Sequence, residues 1–211
     1  ELIELSDVLA NCEFKVFSGA LSAGGKIMAI NAKGLASATS RKKIDELTAT
    51  ARSLGAKGLA WVKLNEEGAI QSPIAKFLSE EEIAAVKERA GMENGDLLLI
   101  VADCANVTYN SLGRLRCDIA AEHKLIPQDV YNFLWVVNFP LLDQDKETGQ
   151  WHAMHHPFTS PIPEDMDKLK TDPGAVSAQA YDVVLNGVEL GGGSIRIHDP
   201  EVQRNMFSVL G

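Results

Sequence analysis

The sequence predicts an α+β fold, and three observations carry that prediction. Apolar, strand-like runs alternate with amphipathic helical stretches as far as about residue 125. Past residue 140 the character changes to polar turns, a His-rich loop and an Asn-Gly hairpin signal. The chain then closes on "PEVQRNMFSVLG", which has the spacing of an amphipathic helix.

The elements follow in order. "KIMAIN", 26–31, reads as a strand. "SRKKIDELTATARSLG" carries Ile44, Leu47, Ala51 and Leu54 at spacings of three and four, with Ser40 placed to cap the helix and Gly55 to stop it. "GLAWVKL", 58–64, is the next strand, and "NEEGAI" turns into a short one. Ser79 and Glu82 have the spacing of a capping box at the head of "SEEEIAAVKERAG". "DLLLIVAD", 96–103, has the apolar run of a buried strand, and Val107, Leu112, Leu115 and Ile119 then share a helical face. "NFLWVVNFP", 132–140, is a further strand, ended by Pro140. "IPEDMDKLKTDPGAVSAQA" reads as an irregular, charged connection.

Composition narrows the class. Of 211 residues 45% are apolar and 23% charged, the make-up of an ordinary soluble globular protein. Twenty Lys and Arg against 29 Asp and Glu leave a net charge of −9, which argues against nonspecific nucleic-acid binding by the chain as a whole. No apolar run approaches the roughly 20 residues that span a bilayer. The start at Glu1 has neither a signal peptide's basic and apolar blocks nor an initiator Met, which leads us to expect a fragment or a processed product. Cys12, Cys104 and Cys117 are odd in number and widely spaced, match no zinc pattern, and point to a reducing compartment, the cytoplasm.

The first 125 residues hold no His–carboxylate pair, phosphate loop or nucleophile with an evident base; Arg114 and Arg116 read as a solvated helix face. The chemistry gathers in "YDVVLNGVELGGGSIRIHDP", 181–200. A two-residue Asn186-Gly187 loop sets Leu185 opposite Val188 and Val184 opposite Glu189. Asp182 and Glu189 then share a face as diagonal neighbours roughly 7 Å apart, a reasonable seat for Mg²⁺. Arg196 follows Glu189 at an odd spacing and joins that face only if the strand is bulged, which Gly191, Gly192 and Gly193 permit. Arginine suits bidentate recognition of a carboxylate or phosphate. The alternative is a surface hairpin with solvated charges, its glycines marking a twist. His155 and His156, being adjacent, should point apart in extended backbone and not line one pocket face together. A zinc site from His152, His155 and His156 is possible by residue type, but no Cys cluster accompanies it and Pro157 stiffens the loop.

Two stretches, "AMHHPFTSP" (153–161) and the segment 181–211, resemble the catalytic domain of bacterial-type aspartyl-tRNA synthetases, a class II family. Upstream, "VFSGAL", "SRKKIDEL", "LGAKGLAWVKL", "SPIAKFL", "GDLLLIVAD" and "LGRLRCDIA" resemble the GAD insertion domain of those enzymes, with Ser72 in place of the family's usual Gly. The resemblance implies a catalytic flank over 1–12, an insertion domain with a mixed β-sheet and helices over 13–125, and antiparallel strands and a helix of the catalytic core over 126–211. It implies a parent enzyme, a cytoplasmic homodimer without membrane attachment, that activates L-aspartate with ATP to aspartyl-adenylate and transfers it to tRNA. By motif, Arg196 would clamp the aspartate side chain, His155 would help hold the amino acid and His156 would support the loop. Glu189 would contact ATP through Mg²⁺, with Asp182 assisting the metal. The family's other ATP-binding motifs would lie outside this chain, so the isolated piece is expected to be inactive. The runner-up is a stand-alone RNA- or protein-interaction module with degenerate synthetase strands.

Overall fold

The computed structural model describes residues 1–211, which divide into two compact units, Glu1–Pro127 and Gln128–Gly211.

In the first unit, β1 (Ile3–Glu4), β2 (Lys26–Ala32), β3 (Ala60–Leu64), β4 (Ile70–Gln71) and β5 (Leu97–Asp103) make a five-stranded sheet in the order β1-β2-β5-β3-β4. Four helices, α1 (Lys15–Ser22), α2 (Arg41–Ser53), α3 (Glu80–Arg89) and α4 (Ala105–Glu122), complete it. Strand β5 lies at the centre, and its continuous apolar run is explained by burial on both faces. Leu98, Ile100 and Ala102 join Phe17 and Ala20 of α1 and Val86 of α3 in one cluster. Leu97, Leu99 and Val101 join Ile44 and Leu47 of α2 and Leu112, Leu115 and Ile119 of α4 in the other. A sheet between two pairs of helices results, and the period-two alternation of β5 feeds both layers.

The expected mixed sheet is corrected: every neighbouring pair is antiparallel. Strands β2 and β3, joined through α2, do run in the same direction, but β5 inserts between them and is antiparallel to both. Alternating strands and helices show the direction of each strand but not which strand fills the gap. Residues 1–12, expected as a flank of the second unit, pack into the first. Strand β1 pairs with β2, and Leu5, Leu9 and Cys12 are buried in the α1–α3 cluster.

Local signals hold where they rest on backbone hydrogen bonding. The Ser40 side chain accepts from the Lys43 N–H. Ser79 and Glu82 form the reciprocal capping box. Helix α1 begins without a side-chain cap, which is why only packing reveals it. Asp96, 2% exposed at the mouth of β5, ties the unit together. Its carboxylate accepts from Asn31 Nδ2 at 2.8 Å, Gly34 N at 2.8 Å and Glu93 N at 3.0 Å. Burial pushes its pKa up, but the bonds from the Glu93 N–H, the Asn31 amide and the Gly34 N–H outweigh this and hold it below the ordinary carboxylate value.

The second unit is built from β6 (Phe133–Val137), β7 (Leu142–Gln144), β8 (Trp151–Ala153), β9 (Ala180–Leu185) and β10 (Val188–Ser194), with α5 (Pro200–Leu210). Strands β10-β9-β6 form an antiparallel sheet and β7-β8 a separate hairpin, which falls where the sequence reads only as polar turn and loop. Its core is small: Leu141, Leu142, Leu169, Val176, Ala178, Ala180 and Met206. The "irregular" stretch contains 3₁₀ turns over Pro163–Lys170 and Pro173–Ala175. There the buried Asp165 accepts from Lys168 Nζ at 2.6 Å and Ser177 N at 2.9 Å. Phe133, Trp135, Val137, Tyr181 and Val188 alternate onto one face of the three-stranded sheet and are exposed.

The Asp96 network generates a stability prediction. A lowered folded-state pKa means stabilisation that is complete above the unfolded value and lost as pH falls through the folded one. Asp96→Asn should therefore cost about 1–3 kcal/mol near neutrality, because one oxygen acceptor becomes a donor facing N–H groups. Urea melts of both proteins from neutral to about pH 3 should show the gap narrowing on acidification; a gap independent of pH would reject the assignment.

Candidate functional site

The hairpin of β9 and β10 turns through Asn186 and Gly187, with φ of +49° and +83°, the left-handed pair that a type I′ turn requires. Asn186 also anchors the turn laterally. Its Oδ1 accepts from Asn132 N at 2.9 Å and its Nδ2 donates to Val130 O at 2.7 Å. The register begins with Val188 opposite Leu185 and Glu189 opposite Val184, as the sequence predicts.

The strand then slips. Leu190 has no partner, and pairing resumes with Gly191 opposite Val183 and Gly192 opposite Asp182. One extra residue exchanges odd for even spacing beyond it. Gly192, Ser194 and then Arg196 fall on the face of Asp182 and Glu189, supplying the bulge that the spacing required. Glycine is needed at 192 for close approach, since a Cβ there would collide with the Asp182 carboxylate oxygen.

A shallow depression of about 300 Å³ lies on this face. His155, His156, Asp182, Glu189, Gly192, Gly193, Ser194 and Arg196 line it, so all five candidate side chains come together. His155 and His156 both line it, contrary to the expectation that adjacent residues would diverge. The reason is local backbone: the chain is not extended here but turns, with Thr159 N donating to His156 O at 2.9 Å. His156 Nδ1 accepts from Phe158 N at 3.1 Å, and the His155 ring packs edge-on against Phe139 with centroids 4.7 Å apart. His152 lies on β8 opposite Asp143, outside the depression. No three or more His, Cys, Asp and Glu side chains are grouped so that they could hold a metal ion by themselves.

Arg196 enters no ion pair; its Nη1 donates to Thr159 Oγ1 at 3.4 Å, leaving most of its donors available. Thr159 is the residue that motif reading quoted without giving it work. It is 1% exposed, bridges to Arg196 through the backbone, and sets its Oγ1 3.3 Å from Ser194 Oγ. Residues 158–161 thereby act as a strut. Ile197 N donates to Phe158 O and Ser160 N to Ile195 O, each at 2.8 Å, while Gln179 N donates to Ser160 O at 2.8 Å. Only a three-way pairing of distant segments reveals this, and no local signal announces it.

Chemically, the depression offers an arginine without a carboxylate partner beside two carboxylates without cationic partners. Asp182 and Glu189 on one sheet face, with Gly192 keeping the space beside Asp182 clear, fit a hard cation of the Mg²⁺ type. Such an ion takes one or two carboxylates and completes its shell from substrate phosphates.

Residues 17–112 match the GAD domain. Over all 211 residues the chain is 56% identical to the aspartate–tRNA ligase of Oceanobacillus iheyensis, covering 36% of that protein. It is 53% identical to the aspartate–tRNA ligase of Ruminiclostridium cellulolyticum and 54% identical to the aspartate–tRNA(Asp/Asn) ligase of Caldanaerobacter subterraneus subsp. tengcongensis, covering 35% of each. The chain is thus similar along its whole length to these aspartate–tRNA ligases, and spans about a third of theirs.

Proposed function

We propose that this chain is the part of an aspartate–tRNA ligase that recognises the amino acid and helps seat ATP, within an enzyme that activates L-aspartate to aspartyl-adenylate and transfers it to tRNA. One observation carries the reading: the bulge at Leu190 turns Arg196 onto the face of Asp182 and Glu189, beside His155 and His156, in a chain 53–56% identical to the ligases named above. In this reading Arg196 clamps the aspartate side-chain carboxylate through paired N–H donors. His155 holds the amino acid, and His156 keeps the loop in its turn. Glu189 reaches ATP through Mg²⁺, assisted by Asp182. The metal, when bound, supplies charge neutralisation at the phosphates. The protein's own contribution is positioning and preorganised charge, without a covalent enzyme intermediate. A cytoplasmic, dimeric parent belongs to the same proposal; the three free cysteines suit a reducing compartment, and no helix is long and apolar enough to cross a membrane.

Three outcomes test it. In a full-length ligase containing this segment, Arg196→Lys should raise the KM for aspartate in pyrophosphate exchange by roughly 10- to 100-fold, the worth of a charged bidentate contact, with a much smaller effect on the KM for ATP. An unchanged aspartate KM would remove Arg196 from the site. Asp182→Asn should shift half-saturation by Mg²⁺ upward while sparing the aspartate KM. The 211-residue chain alone should give no pyrophosphate exchange, since it spans about a third of the relatives' length; measurable exchange would show a complete ATP site within it.

A further inference from the structure

The first unit contains an apolar groove that the proposed ligase reading leaves unused. It opens on the α1 face of the sheet with a volume of about 520 Å³, within the range of small-molecule sites. Phe17, Ala20, Ile74, Ile100 and Ala102 form much of its lining. Phe14 packs edge-on against Phe17 at 4.9 Å and stacks on Phe77 at 5.3 Å, making a rigid aromatic wall. Interiors normally close such space by interdigitation.

Two glycines keep it open. Gly19 and Gly58 line the groove, and a Cβ at either would meet nothing within 4 Å. Neither has the positive φ that would demand glycine. Gly19 stands inside the eight-residue helix α1, where glycine weakens a helix. Side-chain volume is thus missing where backbone geometry would accept it. The charge is selective as well. The chain carries 29 acidic against 20 basic residues, yet the charged residues lining this groove are Lys15 and Lys57, and neither is ion-paired. Lys76 adds a third cation beside the same wall, its Nζ 4.9 Å from the centre of the Phe77 ring.

We propose that this groove binds a small amphipathic carboxylate, its apolar body on the floor left open by Gly19 and Gly58 and its anionic head between Lys15 and Lys57. The occupant is a free small molecule with an aliphatic body. Sodium decanoate is the probe, titrated below its micelle concentration into the ¹⁵N-labelled 211-residue chain. A ligand of this size should bind with Kd on the order of 0.1–1 mM. Saturable amide shifts should concentrate at Gly19, Gly58 and Ala102.

Gly19→Leu should fill the groove and weaken binding at least about tenfold while the spectrum stays folded, since the new side chain enters open space and favours the helix. Lys57→Glu, a surface change that keeps the fold, should weaken decanoate several-fold. Decyltrimethylammonium should not compete. Decanoate binding that survives Gly19→Leu, or shifts centred on the exposed apolar strands of the second unit, would overturn the site. Equal binding of decanol or of the cationic amphiphile would overturn the anionic assignment and leave a plain apolar docking surface.

Discussion

The second unit depends on one unpaired residue. Leu190 steps out of the β9–β10 ladder, and everything beyond it changes face. Had the ladder run on regularly, Gly191 would oppose Asp182, and Arg196 would point with Trp135 and Tyr181 to the opposite side of the sheet, away from Asp182 and Glu189. Sheets have no gradual way to make this correction, because side chains alternate strictly; a single inserted residue is the smallest change that reverses the order. The bulge also explains the glycines. One must lie beneath the Asp182 carboxylate, and Gly193 lies against the Tyr181 ring on the other face, where a Cβ would come within 2.9 Å of the phenol oxygen.

A correction of register is useful only if the strand that carries it is held. Residues 158–161 provide that support through bonds to both 179 and 195–197, and Thr159 adds a side-chain contact to Arg196. The turn that exposes both histidines to the depression is part of the same strut, which is held from helix α5 by Gln203 Nε2 donating to Pro157 O at 3.1 Å. Positive and negative groups are therefore presented together while neither neutralises the other. Such an arrangement suits a ligand that carries both signs of charge, or two ligands that do.

The first unit solves a different problem. Its central strand is apolar on both faces, so two helical layers are required, and α1 with α3 and α2 with α4 supply them. On the α2–α4 side Ile44, Leu47, Leu112, Leu115 and Ile119 are buried against the sheet. On the other side the groove beneath α1 remains, bounded by aromatic rings and two glycines. Asp96 adds a polar tie, bonding the turn before β5 to Asn31 and Gly34 at the end of β2.

The sequence by itself determined the strands and helices whose signals are local: the caps at Ser40 and Ser79, the apolar run of β5, the Asn186-Gly187 turn, and the parity argument that Arg196 needed a bulge to reach the carboxylates. Each rests on interactions within a few residues or on strict alternation, so spacing alone carries it. Tertiary structure decided the rest. Insertion of β5 between β2 and β3 made the sheet antiparallel, residues 1–12 joined the first unit, the turn at 156–159 put both histidines into one depression, and Thr159 became the support of Arg196. These outcomes depend on which distant segments pair, a choice made by burial of whole faces and by closing long-range backbone hydrogen bonds, and local spacing carries no record of that choice.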